Sequence, residues 1–181
     1  GLEGVFVDHK TFKKLSMIEA VENLYMLVEP TFNSLGLKKH QNTLEKILIT
    51  GATGFIGSRL LDHLEKLDCE ITLLSRKPHS KFKTFVCDLS DGKIPESALN
   101  SIDTVFHLAG YAHDVNFSKK NEHIYRTINL ESTLKLATLA QKKKTKSFVF
   151  VSSVKAGGSS TDGHCMNEED QKVIKDIYGL T

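Results

Sequence analysis

The apolar positions of this chain follow two rhythms. Short β-type runs predict strands over Ile47–Thr50, Glu70–Leu74, Thr84–Val86, Thr104–Leu108 and Phe148–Val151. Between these runs, apolar residues recur every three or four positions. That spacing predicts a helix over Gly57–Leu67, with Leu60, Leu61, Leu64 and Leu67 on one face. It also predicts a short helix near Glu96–Leu99 and a long one from about Asn121 to Lys142, whose apolar set is Ile124, Ile128, Leu134, Leu136, Leu139 and Ala140. Strands and helices in alternation predict an α/β fold, a doubly wound parallel sheet with helices on both faces.

Residues 1–45 read differently. A short run, Val5 to Val7, precedes an expected amphipathic helix from about Thr11 to Val28, apolar at Leu15, Ile18, Val21, Leu24, Tyr25 and Val28. Pro30 disfavours its continuation, and Gly36 with the polar stretch Lys38 to Asn42 reads as a linker.

Residues 46–57, Lys-Ile-Leu-Ile-Thr-Gly-Ala-Thr-Gly-Phe-Ile-Gly, place a strand, a glycine turn and a helix in direct succession. A dinucleotide pyrophosphate needs that order. Gly51 permits the tight turn, Gly54 lets the backbone approach the phosphates, and Gly57 lets the helix pack on the strand. The helix start offers unpaired N–H groups and a partial positive charge. The glycines run G-x-x-G-x-x-G, with Ala52-Thr53 and Phe55-Ile56 between them. This spacing resembles the short-chain dehydrogenase/reductase superfamily, and within it the extended branch of nucleotide-sugar epimerases and dehydratases. The resemblance runs from about Lys46 to Thr181. It implies a Rossmann-type NAD(P)-binding domain over 46–181, set behind an N-terminal extension, 1–45, that departs from the family's usual start at the first strand.

Further stretches carry chemistry. The second strand ends Leu74-Ser75-Arg76-Lys77, with no acid in the window. Ser75, Arg76 and Lys77 offer hydrogen bonds and positive charge to the 2′-phosphate of NADP, where an acid would hold the ribose of NAD. The alternative is a solvated basic turn, and the cofactor stays NAD or NADP. The resemblance implies that Asp88, in Asp88-Leu89, contacts adenine; the same residue also suits the cap of the following turn. His107-Leu108-Ala109-Gly110 ends the fourth strand and resembles the family's H-x-A-G/A motif, whose small residues let the backbone run close to the cofactor. Asn129 resembles the family's asparagine in the helix beside the active site; buried, it needs a partner, and capping or exposure is the other reading.

An apolar strand delivers Ser152 and Ser153 to its carboxyl end, in Phe148-Val-Phe-Val-Ser-Ser-Val-Lys-Ala-Gly-Gly158. The resemblance places the catalytic Ser or Thr here, and the trailing glycine selects Ser153. It places the catalytic tyrosine at Tyr178. The family signature is Tyr-x-x-x-Lys, in which the lysine charge favours the phenolate. The chain stops at Thr181, one residue before that lysine would fall. The resemblance therefore implies a fragment without the lysine and without the C-terminal substrate domain, able to bind cofactor but poor at turnover.

Three functions stay open: a nucleotide-sugar epimerase or dehydratase, an NADPH-dependent ketone reductase of the same superfamily, and a non-catalytic nucleotide-binding module. The family also implies a nucleotide-sugar substrate and, in the full-length protein, a homodimer built through the helix over Asn121–Lys142 and the one starting near Tyr178, which is cut here.

Composition narrows the partners. With 24 basic and 22 acidic residues, the net charge of +2 makes no case for nucleic acid or an anionic membrane. The run Lys142-Lys143-Lys144-Thr145-Lys146 reads as a solvated helix end. No apolar stretch approaches the ~20 residues of a membrane span, and no secretory signal is visible. Cys69, Cys87 and Cys165 are widely spaced and read as reduced thiols of a cytoplasmic protein. No metal-ligand cluster appears, and His107, inside an apolar run, reads as packed or hydrogen-bonded.

Overall fold

The computed structural model describes residues 6–7, 14–15, 44–112, 121–157, 174 and 176–181. Near the N-terminus, β1 (Phe6–Val7) and β2 (Lys14–Leu15) pair antiparallel, Phe6 opposite Leu15 and Val7 opposite Lys14. The helix expected from Thr11 is therefore interrupted at Lys14–Leu15, where cross-strand bonding to the β-type Phe6–Val7 replaces the helical pattern. The rest of that expected helix, and the linker after it, lie outside the described residues.

The main sheet holds β3 (Glu45–Thr50), β4 (Cys69–Ser75), β5 (Lys83–Val86), β6 (Thr104–His107) and β7 (Ser147–Phe150). Its order is β5-β4-β3-β6-β7, and every neighbouring pair is parallel. All five strands were legible, each within two residues of its ends.

Pleating sorts their side chains to two faces. Leu48, Leu74 and Val105 join one core with Ile94, Leu99, Leu136 and Leu139. Ile47, Ile49, Leu73 and Phe106 join the other with Leu60, Leu61 and Leu64 of α1 (Phe55–Leu64). Helices thus cover both faces, and the central strands are apolar on both sides, as a buried parallel sheet requires.

Two details depart from the periodic reading. α1 ends at Leu64, and Leu67 is 45% exposed rather than on the buried face. The N–H groups of Lys66 and Leu67 turn back to the carbonyls of His63 and Leu64 at 3.1 and 3.0 Å, which tightens the chain so that Cys69 can enter β4 opposite Glu45.

The long helical stretch divides into α2 (Glu122–Tyr125), a π-helical segment (Arg126–Glu131) and α3 (Ser132–Lys142). Its buried residues are Tyr125, Asn129, Ser132, Leu136, Leu139 and Ala140. Leu134, expected inside, is 59% exposed. It stands two positions from Leu136, about 200° around the helix. The inward face instead uses polar residues, which a search for apolar periodicity passes over.

At the amino edge of the sheet, Asp103 ties three strands together. One carboxylate oxygen accepts the Lys46 N–H at 3.0 Å and the other pairs with Lys146 at 2.8 Å. Burial pushes this carboxyl up, but the bonds from Lys146 and Lys46 outweigh it and hold it below the usual carboxylate range. Lys142 pairs with Glu96 at 3.3 Å, so two members of the basic run serve the fold's own acids.

Candidate active site

The sheet's order reverses at β3. The next strand in the chain, β4, lies on one side of it, and β6 lies on the other. The carboxyl ends of β3 and β6 flank this switch point, the place where open α/β sheets bind ligands.

The glycine turn forms one wall. Gly51 has φ +70° and lies against the opposite wall, where a Cβ would sit 2.6 Å from the Ala109 nitrogen and 2.8 Å from the Leu108 carbonyl oxygen. Gly57 is buried under the turn; a Cβ there would overlap the Gly51 carbonyl oxygen and come within 2.8 Å of the Ala52 Cα. Gly54 is looser, with its Cβ position 3.2 Å from the same oxygen. Its N–H bonds the Gly51 carbonyl at 2.9 Å, and it is the N-cap of α1, with no side-chain cap bond over the helix start. Thr53, Gly54 and Phe55 are exposed, Ile56 is half-buried, and Ala52 is buried beneath them.

The other wall is Leu108-Ala109-Gly110, held by a buried polar relay. The Thr50 hydroxyl accepts the Ala109 N–H at 3.1 Å and lies 2.6 Å from Nδ1 of His107, whose Nε2 lies 2.8 Å from the Thr133 hydroxyl. Both ring nitrogens of His107 are thus within hydrogen-bond distance of a threonine hydroxyl, and either neutral tautomer is paired, since a hydroxyl both donates and accepts. His107 is fully buried, stacks on Phe150 with ring centroids 5.8 Å apart, and has its pKa pushed down to about 4 by desolvation. It is a structural residue, as its apolar surroundings suggested.

Asn129, in the π-helical segment, spends its amide on one residue: Oδ1 accepts the Tyr111 N–H at 2.7 Å and Nδ2 donates to the Tyr111 carbonyl at 3.0 Å. It fixes the backbone just after the Leu108–Gly110 wall, with Oδ1 3.5 Å from where a Gly110 Cβ would sit.

At the rim, Ser75 ends β4, and Arg76 and Lys77 are exposed beyond it. Asp88 caps the turn Leu89–Asp91, its Oδ1 accepting the Ser90 N–H at 2.9 Å and the Ser90 hydroxyl at 2.7 Å. Those Ser90 bonds, and more weakly the Arg76 charge, hold its carboxyl below the usual range. The capping alternative is thus realised, and Leu89 is buried in the core below.

At the end of β7, Ser152 is exposed and Ser153 half-buried, its Oγ accepting the Lys155 N–H at 3.3 Å. The turn Val154–Gly157 follows and packs on α4 (Ile177–Leu180), whose Gly179 leaves only 2.5 Å between its Cβ position and the Lys155 carbonyl oxygen. Asp176 caps α4 by accepting the Gly179 N–H at 2.8 Å. The Tyr178 ring lies 6.3 Å from that of Tyr125, which meets Tyr111 edge-on at 4.9 Å. The fold thus draws Ser153 and Tyr178, 25 positions apart, onto adjoining turns. Sequence reasoning did not single out Thr50, Thr133, Tyr111, Tyr125 or Lys155. A threonine inside an apolar strand was the available signal for Thr50, since buried polar groups need partners.

A parallel sheet of this order, with a glycine turn sealed against the neighbouring strand's end, defines a dinucleotide-binding α/β domain. The profile of the NAD dependent epimerase/dehydratase family matches residues 47–180, and the chain belongs to that family. A UDP-glucose 4-epimerase of Vibrio cholerae is 32% identical over 144 residues, covering 76% of this chain and 44% of that protein. A 3-beta-hydroxysteroid dehydrogenase of Mycolicibacterium neoaurum is 30% identical over 119 residues, covering 61% of this chain and 32% of its own length. Among solved structures, MoeE5 in complex with UDP-glucose and NAD superposes with a TM-score of 0.65 at 29% identity, over 75% of this chain and 44% of that one. The chain therefore spans less than half the length of these relatives. No helix among the described residues is long and apolar enough to cross a membrane.

Proposed function

We propose that this chain is the NAD(P)-binding portion of an enzyme acting on a nucleotide-activated sugar, as an epimerase or dehydratase. The observation that carries the reading is the juxtaposition at the sheet's carboxyl edge: a glycine turn that admits no side chain at Gly51, and Ser153 and Tyr178 on adjoining turns. Gly51 to Gly57 would hold the pyrophosphate. Leu108, Ala109 and Gly110 would face the ribose and nicotinamide, and Ser75, Arg76, Asp88 and Leu89 the adenosine. Asn129 serves at one remove, through Tyr111. Bound NAD(P) supplies a hydride acceptor and donor.

The chain's own residues handle the proton. Tyr178 takes it from the sugar hydroxyl as the carbon is oxidised and returns it when the carbonyl is reduced. Ser153 donates a hydrogen bond to the same oxygen and steadies its charge. The epimerase relative at 32% identity and the UDP-glucose complex at 29% support the substrate class. Cytoplasmic residence belongs to this reading, since Cys69 and Cys87 are free thiols of the kind that compartment keeps reduced. So does a homodimer through the helical stretch that exposes Leu134.

Tyr178→Phe tests the reading, because it deletes one proton-transfer group and little bulk. In a form continuing past Thr181, turnover of a panel of UDP-, GDP- and dTDP-sugars, followed by NMR, is expected to fall by about a hundred-fold or more. Cofactor affinity should stay nearly unchanged. Undiminished turnover in the variant would move the proton transfer to another residue.

A second reading, an NADPH-dependent ketone reductase, is favoured by the rim: Ser75, Arg76 and Lys77 close β4 with no acid among them. Charge-assisted bonds to a 2′-phosphate are worth about 1.5–3 kcal/mol. Arg76→Ala with Lys77→Ala is therefore expected to weaken NADP(H) about ten- to a hundred-fold by calorimetry and NAD(H) little. Equal losses for both cofactors would reduce the pair to a solvated turn.

A further inference from the structure

We propose that Lys155 is a positioning residue for the Ser153–Tyr178 pair, a clasp that sets the tyrosine's turn against the serine's. The inference rests on the functional reading above for what the pair does, and on geometry alone for how it is held. Lys155 meets every part of the junction. Its backbone N–H donates to the Ser153 hydroxyl at 3.3 Å. Its carbonyl oxygen closes on Gly179, leaving 2.5 Å to that residue's Cβ position. Its ammonium stands 5.8 Å from the centroid of the Tyr178 ring and 3.9 Å from the Asp176 carboxylate.

Asp176 is shared in a telling way. Oδ1 caps α4 through the Gly179 N–H at 2.8 Å, and Oδ2 is the oxygen that faces Lys155. One carboxylate therefore both starts the tyrosine's helix and receives the cation from the serine's turn. An ammonium within 6 Å of a phenol ring is attracted by the ring's face, and the carboxylate fixes the ammonium's direction. Lys155 reaches the cap, the ring and the backbone of α4 at once. Sequence pattern gives no sign of this role, because the lysine's partners on α4 and its cap lie more than 20 positions away.

The clasp is tested by NMR on isotope-labelled protein, with Lys155→Met, Lys155→Arg, Tyr178→Leu and Asp176→Asn. The ε-methylene signals of Lys155, assigned by their loss in Lys155→Arg, are expected upfield of the other lysines through the ring current of Tyr178. They should return to the common position in Tyr178→Leu. Exchange of the Gly179 amide is expected to quicken about two- to five-fold in Lys155→Met, the scale of an exposed cation–π contact. It should recover in Lys155→Arg, and change in Asp176→Asn by the loss of the ion pair while the amide oxygen keeps the cap. In turnover assays Lys155→Met should lower kcat by a similar factor with KM and cofactor affinity unchanged, and Lys155→Arg should restore it.

Unshifted ε-methylene signals would overturn the proposal. So would a Gly179 amide, or a measurable kcat, that is indifferent to Lys155→Met. If no nucleotide sugar is turned over while the spectroscopic results appear as stated, the substrate reading fails and the clasp stands.

Discussion

Gly57→Ala is expected to cost the fold about 3 kcal/mol or more, the upper end of what an added methyl group does in a filled interior. The new Cβ would overlap the Gly51 carbonyl oxygen and lie 2.8 Å from both the Ala52 Cα and the Gly51 carbonyl carbon. These are backbone atoms, so no rotamer change relieves the clash. Either α1 lifts from the sheet, uncovering Leu60, Leu61 and Leu64, or the turn that carries Gly51 is pushed out of its seat against Ala109. Gly54→Ala provides the contrast. Its Cβ meets one atom at 3.2 Å, so the fold should lose about 1 kcal/mol at most. Gly54→Val should instead weaken cofactor binding, since its bulk stands over the helix start. Urea unfolding separates the two. Equal stability of Gly57→Ala and the parent would show that the packing of α1 on the turn is not as tight as described.

Acidification should cost about as much, through one imidazole. His107 has its pKa pushed from 6.5 down to about 4 by burial, so the folded chain resists its protonation while the unfolded chain accepts it. A depressed folded pKa means that the stability is fully present above about pH 6.5. It falls as the pH drops toward 4, and the loss totals about 3 kcal/mol. The surroundings say why protonation is costly: the charge would sit in a buried site against Phe148 and Phe150, with the neutral hydroxyls of Thr50 and Thr133 for partners. Unfolding free energies measured across pH 4–8 should show this slope, and His107→Gln, less stable at pH 7, should lack most of it. A slope of the same size in the variant would assign the acid sensitivity to the carboxylates.

The strands were legible because a sheet buried on both faces must be built from nearly unbroken apolar runs, and Ile47–Ile49 and Thr104–Phe106 are such runs. The phosphate turn was legible because glycine is the residue that fits where backbone meets backbone, as Gly51 does against Ala109. Along the long helical stretch the polar interior was legible only at Asn129, through the family resemblance and the need of a buried amide for a partner. Tyr125 and Ser132 also face inward there, and nothing in the apolar pattern marks them. Asn129 is buried because Tyr111 supplies both of its bonds, and that pairing joins residues 18 positions apart. Lys155 escaped for the same reason: the neighbours that give it a role are brought by the fold. Leu134 erred the other way, an apolar residue whose side of the helix is set by a two-residue offset that a simple count of leucines does not resolve.

The split ancestry of the site has a consequence for the order in which it can form. β3 meets β4 with Lys46 opposite Glu70, 24 positions on, and meets β6 with Ile47 opposite Thr104, 57 positions on. Loop-closure entropy favours the nearer pairing by about 0.8 kcal/mol, before any side chain is buried. The whole glycine turn and α1 lie inside that shorter loop, whereas the Leu108–Ala109 backbone that seals Gly51 lies beyond the longer one. A chain caught with β6 still undocked would carry the complete phosphate turn and no wall to face it. Loop closure alone therefore favours the phosphate turn's forming ahead of the wall that faces it.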